Sequence, residues 1–163
     1  MGILGVDVKT QVTSETVYLK LNNAFFDRLI YTIRTKFGGT LTEKKAFRKS
    51  MITIRSQPRI VQLAADQRPP SSEKRYQRNF LNRPAYFFEG AEYLSKKLEL
   101  PVFFGHVIKV KRGYYRLEFS KIAEPPYDSH STHSITDEFC QRLENNIRVQ
   151  PDLYLWSHKR WKV

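Results

Sequence analysis

The stretch Thr16-Val-Tyr-Leu-Lys-Leu-Asn-Asn-Ala-Phe-Phe-Asp-Arg-Leu-Ile30 changes from the pattern of a strand to that of a helix. Residues 16–21 are rich in β-branched and aromatic side chains, which favour strands. The pair Asn22-Asn23 then offers a helix N-cap, and apolar residues recur at spacings of three and four until the pair Gly38-Gly39. The stretch therefore predicts a strand followed directly by a helix, as in α/β proteins.

Strand-like and helix-like segments continue to alternate along the rest of the chain. A second helix is predicted with Thr42 as its cap and Pro58 beyond its end, followed by a buried parallel strand over residues 60–65. The alternation predicts an α/β/α layered fold with a mixed, mostly parallel central sheet. The other predicted elements are a helix over residues 87–98, a hairpin of strands 101–110 and 114–121 that turns at Gly113, and a helix with Ile135, Phe139, Leu143 and Ile147 on one face.

Length and composition limit the possible classes of protein. A chain of 163 residues that is 40% hydrophobic predicts a single domain, residues 1–163. No run of about 18 apolar residues is present, so no transmembrane helix is expected. The single Cys140 excludes an intramolecular disulfide and fits a reducing compartment. Without clustered metal ligands or a glycine-rich nucleotide loop, neither a metal nor a nucleotide cofactor is predicted.

The net charge of +12, from 28 Lys and Arg against 16 Asp and Glu, favours a polyanionic partner. Nucleic acid, anionic lipid and an acidic carrier protein all meet this description. Because no known nucleic-acid motif is present, a basic RNA- or DNA-binding module is the alternative rather than the preferred interpretation.

A basic segment follows the predicted strand at residues 60–65. Residues 66–84 lack periodicity and are predicted to form a long loop, either functional or a disordered insertion. Ligands of open α/β sheets bind beyond the carboxyl ends of strands, which makes the adjacent Asp66 a candidate pocket residue. A structural pairing of Asp66 with a neighbouring arginine is the alternative. The candidate phosphate contacts of the loop are Arg75, Arg78 and Arg83.

The last residues, Gln150-Pro-Asp-Leu-Tyr-Leu-Trp-Ser-His-Lys-Arg-Trp-Lys162, combine aromatic rings with cations. Together with Ala65-Asp-Gln-Arg-Pro69, this tail resembles the bacterial acyltransferases of lipid A biosynthesis (the lauroyl/myristoyl, or lysophospholipid, acyltransferase family). Chains of that family close on a Pro-x-x-Tyr-x-Trp-x-His-(Arg/Lys)-Arg-(Phe/Trp)-Lys pattern. The segment from Tyr18 to Asp27 is also similar, with Lys20 near the position of a family cation.

The resemblance implies transfer of a fatty acyl group from acyl carrier protein or coenzyme A to a lipid hydroxyl, with no further cofactor. It implies an acceptor such as a lipid A precursor and a place on the cytoplasmic face of the bacterial inner membrane, without nucleic acid as a partner. The expected substrate-binding residues are Asp66, Gln67, Arg68, Lys20, Arg75 and Arg78. The expected membrane or phosphate contacts are Trp156, Lys159, Arg160, Trp161 and Lys162, with a plain surface cluster as the alternative.

The family's catalytic His-x4-(Asp/Glu) motif normally precedes the Tyr18 segment, and it is not present there. His133 and Glu138 have the required spacing but lie before the last helix, where Ser134 with Asp137 is typical of a helix cap. No catalytic residue is therefore predicted within this chain, and His158 is expected to be a packing residue. We expect a truncated acyltransferase that is inactive by itself, with a stable domain of no function as the alternative; an exposed sheet edge would favour a homodimer.

Overall fold

The computed structural model describes residues 12–36, 38–53, 58–128 and 132–161. The chain divides into two compact units, an N-terminal unit (Met1–Ala64) and a C-terminal unit (Ala65–Val163), which are described separately below. The predicted α/β class is confirmed, with parallel strands, antiparallel strands and helices all present. The single domain over residues 1–163 stays a prediction.

The N-terminal unit is built on a three-stranded parallel sheet. Its strands are Thr13–Tyr18 (β1), Thr40–Glu43 (β2) and Arg59–Gln62 (β3), in the order β2-β1-β3. The helix Ala24–Thr35 (α1) connects β1 to β2, and Lys44–Thr53 (α2) follows β2 directly. The predicted strand–helix unit is thus confirmed.

The start of α1 follows from the predicted cap. The Asn23 side-chain oxygen accepts hydrogen bonds from the backbone N–H groups of Phe25 and Phe26, at 3.0 and 3.2 Å. These bonds satisfy two of the donors that a helix N-terminus leaves free. Asn23 is therefore the N-cap of α1, as its sequence context predicted.

Two predictions for this unit are wrong. Thr42 does not cap α2 but lies in β2 opposite Val17 of β1, and its hydroxyl donates to the Glu15 carboxylate instead. The strand β3 covers only residues 59–62, and all four are partly exposed rather than buried on both faces. Phe37 and Ile54, which continue the apolar spacing of the two predicted helices, lie outside the described residues.

The C-terminal unit contains two antiparallel hairpins and two helices among its described residues. The hairpins pair Arg75–Phe80 (β4) with Arg83–Phe88 (β5), and Val102–Lys111 (β6) with Tyr114–Ala123 (β7). The helices are Gly90–Leu98 (α3) and Ser134–Val149 (α4), and a short 3-10 turn, Pro151–Leu153, follows α4. The predicted hairpin around Gly113, which adopts φ 81°, is confirmed.

The prediction of a long basic loop over residues 66–84 is wrong for its second half. That half forms β4 and the start of β5. Leu81 and Asn82 form the turn with φ of 50° and 63°, the conformation of a tight hairpin. Leucine rarely adopts a positive φ, so the sequence gives no clear turn signal. Arg78 adds to the difficulty because it occupies the same face of the hairpin as buried Phe80 and interrupts the alternation of apolar residues.

The core of this unit is aromatic. Phe80, Ala85 and Phe87 from the β4–β5 hairpin pack against α4, whose Cys140 and Ile147 are also buried. Phe87 was predicted to begin a helix, but it is a core residue of β5 and the helix begins at Gly90. The tail packs on the same core through Tyr154 and Trp161.

Candidate functional site

The N-terminal unit has an open hollow of about 710 Å³ at the carboxyl ends of β1 and β2. It is lined by residues 19–22, which follow β1, and by residues 43–45, where β2 passes into α2. Parallel α/β sheets bind ligands beyond the carboxyl ends of their strands, and this hollow has that location. The candidate Lys20 is one of its lining residues.

Local hydrogen bonds fix the segment that carries Lys20. The Leu21 backbone N–H donates to Asp27 Oδ1 at 2.9 Å, and Asn23 caps α1 two residues later. The chain is therefore held on the α1 side of its turn from β1 into α1. Lys20 itself is exposed, as a side chain that meets an external ligand must be.

The helix α2 begins at the same hollow with an unusual distribution of charge. Lys44 and Lys45 are its first two residues, and its first turn has no acidic side chain. A helix N-terminus carries a partial positive charge, so cations there are unfavourable unless an anion is nearby. Glu43, the residue before α2, also lines the hollow, and the three lysines including Lys20 outnumber it. This excess of positive charge makes the hollow a suitable site for an anionic group.

In the C-terminal unit, two motifs that are far apart in sequence lie side by side. The Tyr154 hydroxyl donates to the backbone oxygen of Asp66 at 3.3 Å. The Arg68 backbone N–H donates to His158 Nε2 at 2.9 Å. The tail therefore holds residues 66–68, a segment without regular secondary structure.

Arg160 anchors the tail in the interior. Its side chain is 1% exposed, and its guanidinium lies 4.0 Å from the ring centre of Phe87 and 5.4 Å from that of Phe80. None of its three guanidinium nitrogens has a hydrogen-bond partner in the described part of the chain. Desolvation lowers the pKa of Arg160, since burial disfavours the charged form.

The tail does not present the surface of cations and rings that its composition predicted. Arg160 is buried, and the Trp161 ring stacks on Phe80 with its indole N–H donating to the Phe80 oxygen at 3.4 Å. Trp156 and Lys159 are exposed, as a membrane contact requires. Lys162 lies outside the described residues.

The segment 66–68 combines partly and fully accessible side chains. Asp66 is partly buried and Gln67 is exposed. The buried Arg68 Nε has no hydrogen-bond partner in the part of the chain that is described. The negative charge of Asp66 acts on Arg160, which favours the charged guanidinium. The role of Asp66, as a pocket residue or as the partner of an arginine, stays a prediction.

The three other candidate arginines lie in the β4–β5 hairpin rather than in a loop. Arg75 stacks on the Tyr86 ring at 4.1 Å, and Arg83 lies 5.5 Å from the centre of the Trp161 ring. Arg78 forms an ion pair with Asp137 at 2.8 Å. These contacts give all three side chains structural partners.

His133 and Glu138 do not form a pair. His133 Nδ1 lies 3.2 Å from Glu89 Oε1, and its ring stacks on Tyr76 with 4.0 Å between ring centres. Glu138 instead binds Arg142 at 2.6 Å. His133 occupies the N-cap position of α4 at φ 62°, so Ser134 is the first helical residue and not the predicted cap.

No group of three or more His, Cys, Asp or Glu side chains is arranged to hold a metal ion within the described ranges. No helix in those ranges is long and apolar enough to cross a membrane.

Comparison with known families decides the relationship that the tail and the Asp66 motif indicated. A family model for bacterial lipid A biosynthesis acyltransferases matches residues 5–163. The chain belongs to this family. A search of curated proteins finds no match. The match covers the hollow, residues 66–68 and the tail, so all candidate sites lie within the family domain.

Sequence reasoning missed three residues of these sites. Lys44 and Lys45 were assigned to a helix without a role, because the location of the hollow depends on the pairing of β2 with β1. Tyr154 belongs to the tail pattern but was not singled out, and its contact with Asp66 spans 88 residues. The family pattern itself was the available signal for Tyr154.

Proposed function

We infer that this chain takes part in the transfer of a fatty acyl group from a thioester to a hydroxyl of an anionic lipid. The family supports acyl transfer and lipid A biosynthesis as the pathway. The proposed acceptor is a lipid A precursor, and the proposed donor is acyl carrier protein or acyl coenzyme A, without another cofactor. The proposed place of action is the cytoplasmic face of the inner membrane.

The observation that carries the proposal is the lysine-lined hollow at the carboxyl edge of the parallel sheet. Lys20, Lys44 and Lys45 surround it, and the N-terminus of α2 adds positive potential. Glu43 also lines the hollow, so the three lysines leave an excess of positive charge that a phosphate of the acceptor would balance. The net charge of +12 also favours an acidic carrier protein and an anionic membrane.

The three described histidines do not favour strong catalysis by this chain alone. His158 Nε2 already accepts the Arg68 N–H, and His133 is engaged by Glu89 and Tyr76. His106 lies 3.6 Å from Glu118 in the β6–β7 hairpin. A carboxylate contact orients a histidine without occupying its other ring nitrogen, but neither the Glu89 pair nor the Glu118 pair has the family's His-x4-(Asp/Glu) spacing. We therefore expect substrate binding to be easier to detect than turnover.

The test measures binding to neutral phosphatidylcholine vesicles with and without a phosphorylated glucosamine lipid. Replacing both Lys44 and Lys45 by glutamine should weaken lipid-dependent binding about thirtyfold, since each cation near an anionic surface contributes about 1 kcal/mol. The matched control replaces Lys111 and Arg112, an exposed pair at the β6–β7 turn, by glutamine. It should change binding less than about twofold.

Further measurements separate this proposal from other functions. Binding to acylated carrier protein should be detectable and should weaken with salt. Equal losses for the two double variants would indicate nonspecific attraction and contradict a site at the hollow. Tight binding of single-stranded RNA without lipid or carrier binding would contradict acyl transfer itself.

A further inference from the structure

The contact between residues 66–68 and the tail determines what His158 can do. A backbone N–H only donates, so His158 Nε2 must be the unprotonated nitrogen that accepts the Arg68 bond. The proton of the neutral ring is then on Nδ1. With its Nε2 lone pair engaged, His158 is suited to hold a segment in place and not to take a proton from a substrate.

The tail around His158 is rigidly supported. The His158 N–H donates to Leu155 O at 3.1 Å, and the Arg160 N–H donates to His158 O at 2.8 Å. Two residues beyond His158, Arg160 is buried on the rings of the core, and Trp161 stacks beside it. His158 thus connects this fixed core to the irregular segment 66–68.

The segment itself depends on the tail for its backbone contacts. Two bonds from the tail reach it, one at the Asp66 oxygen and one at the Arg68 N–H. Between these bonds lies the exposed Gln67, and the Asp66 side chain is partly accessible. Because both tail bonds are to backbone atoms, they orient the segment while leaving the side chains of Asp66 and Gln67 available to a ligand.

We propose that His158 is a positioning residue, which orients Asp66, Gln67 and Arg68 toward the lipid acceptor through its bond to the Arg68 backbone. This inference rests on the proposed function, because it assumes that the segment contacts the acceptor. Tyr154 serves the same purpose through the Asp66 oxygen. The tail would then act on the acceptor from inside the protein, in addition to any membrane contact of its exposed residues.

Two variants of His158 separate positioning from packing. His158→Gln places an amide oxygen near the position of Nε2 and keeps the acceptor, whereas His158→Leu removes it at similar volume. His106→Leu is the matched control, because it makes the same change at another partly buried histidine of this unit. Tyr154→Phe removes the second tie and serves as an independent variant if His158→Leu does not fold.

The first readout is hydrogen exchange of the Arg68 amide in the full chain, measured by NMR. Loss of its acceptor should speed exchange about fivefold in His158→Leu, because about 1 kcal/mol of protection is lost. His158→Gln and His106→Leu should stay within about twofold of the unmodified chain. An unchanged rate in His158→Leu would overturn the inference.

The second readout is affinity for the phosphorylated glucosamine lipid in phosphatidylcholine vesicles. Affinity should fall about fivefold or more in His158→Leu and Tyr154→Phe, and it should be retained in His158→Gln. Positioning would be overturned by equal losses of affinity in His158→Leu and His158→Gln. It would also be overturned if neither His158→Leu nor Tyr154→Phe lost affinity. In both cases the proposed function stands. If the unmodified chain fails to bind the lipid, the proposed function fails and this inference fails with it.

Discussion

Glu15 in the N-terminal unit and Arg160 in the C-terminal unit are both buried charges, but their surroundings differ. Glu15 is 4% exposed, and its carboxylate contacts three polar side chains: Thr42, Ser50 and Arg59. Arg160 is 1% exposed and lies on aromatic rings without a hydrogen bond from the described residues. Depth of burial alone therefore does not tell how much a charge contributes to stability.

The partners of Glu15 come from three other elements of the unit: β2, α2 and β3. Thr42 lies in β2 and Ser50 in α2, with hydroxyl oxygens 2.5 and 2.9 Å from Oε1. Arg59 of β3 forms an ion pair with Oε2 at 3.2 Å, although the geometry is not that of a hydrogen bond. The Glu15 carboxylate thus links the three strands of the sheet to one another and to α2. Removing it leaves the mostly buried Arg59 without its counter-ion.

The largest effect is expected for Glu15→Leu, which should lower the free energy of unfolding by about 3–5 kcal/mol because it breaks a buried ion pair. Urea unfolding measures the change. The double variant with Arg59→Met should recover part of the loss, since it removes the orphaned guanidinium. A loss below about 1 kcal/mol would show that the Glu15 network is not stabilising.

Removing the charge of Arg160, unlike that of Glu15, should have little effect on stability. Arg160→Met should change stability by less than about 1 kcal/mol, because it keeps most of the apolar contacts and removes unpartnered donors. Arg160→Ala should cost about 3 kcal/mol through the cavity it leaves.

Burial raises the pKa of the neighbouring Cys140 thiol to about 12, so thiol labelling in native conditions should be slow and should accelerate only in the alanine variant. A methionine variant as unstable as the alanine variant would point to a hidden partner of the guanidinium.

Glu92 is a third buried charge, and its polar partners are Lys96 and Thr136 of the same unit. Although burial raises the pKa of Glu92, hydrogen bonds from Lys96 and from the Thr136 N–H and hydroxyl lower it overall from 4.5. A carboxyl group with a lowered folded-state pKa stabilises the protein above its unfolded pKa, and this contribution is lost as the pH falls below about 4.5.

Glu92→Gln should therefore lower stability at pH 7 by about 1–2 kcal/mol and flatten the loss of stability below about pH 4.5. Urea unfolding at several pH values measures both effects. Glu99→Gln, at an exposed position just after the same helix, is the control and should keep the acid-dependent loss of the unmodified chain. Parallel pH profiles for Glu92→Gln and the unmodified chain would contradict the role of Glu92.

The smallest effect is expected for a charge in solvent. Lys121 lies 2.6 Å from Glu124, but both side chains are at least half exposed. Lys121→Ala should change the free energy of unfolding by less than about 0.5 kcal/mol, because exposed ion pairs are screened. A loss above about 1 kcal/mol in urea unfolding would contradict this. It would mean that the short distance between two charged groups, rather than their burial and other partners, determines how much they contribute to stability.

The sequence predicted best those elements whose signals are local. Asn23 caps α1 through its immediate neighbours, and Gly113 supplies the positive φ of the β6–β7 turn. The regular spacing from Ile135 to Ile147 predicted α4, whose cap alone was misplaced by one residue. The β4–β5 hairpin was missed because Leu81 is an unusual turn residue and Arg78 interrupts the apolar alternation.

The candidate site was only partly predictable for the same reason. Asp66, Lys20 and the tail were each identified from the sequence, but as separate features. The tail's contact with Asp66 and the arrangement of the lysines around the hollow depend on pairings between distant segments. Composition also suggested that Arg160 lies at the surface, whereas the aromatic core of the C-terminal unit buries it.

By itself, the sequence determined the α/β class, the helix α1 with its Asn23 cap, and the resemblance to acyltransferases of lipid A biosynthesis. Those properties follow from residue order and from interactions over a few residues. Only the tertiary structure decided that Arg160 is buried and that His158 holds Arg68. Burial and hydrogen-bond partners are set by residues up to 90 positions away, and local patterns carry no information about that distance.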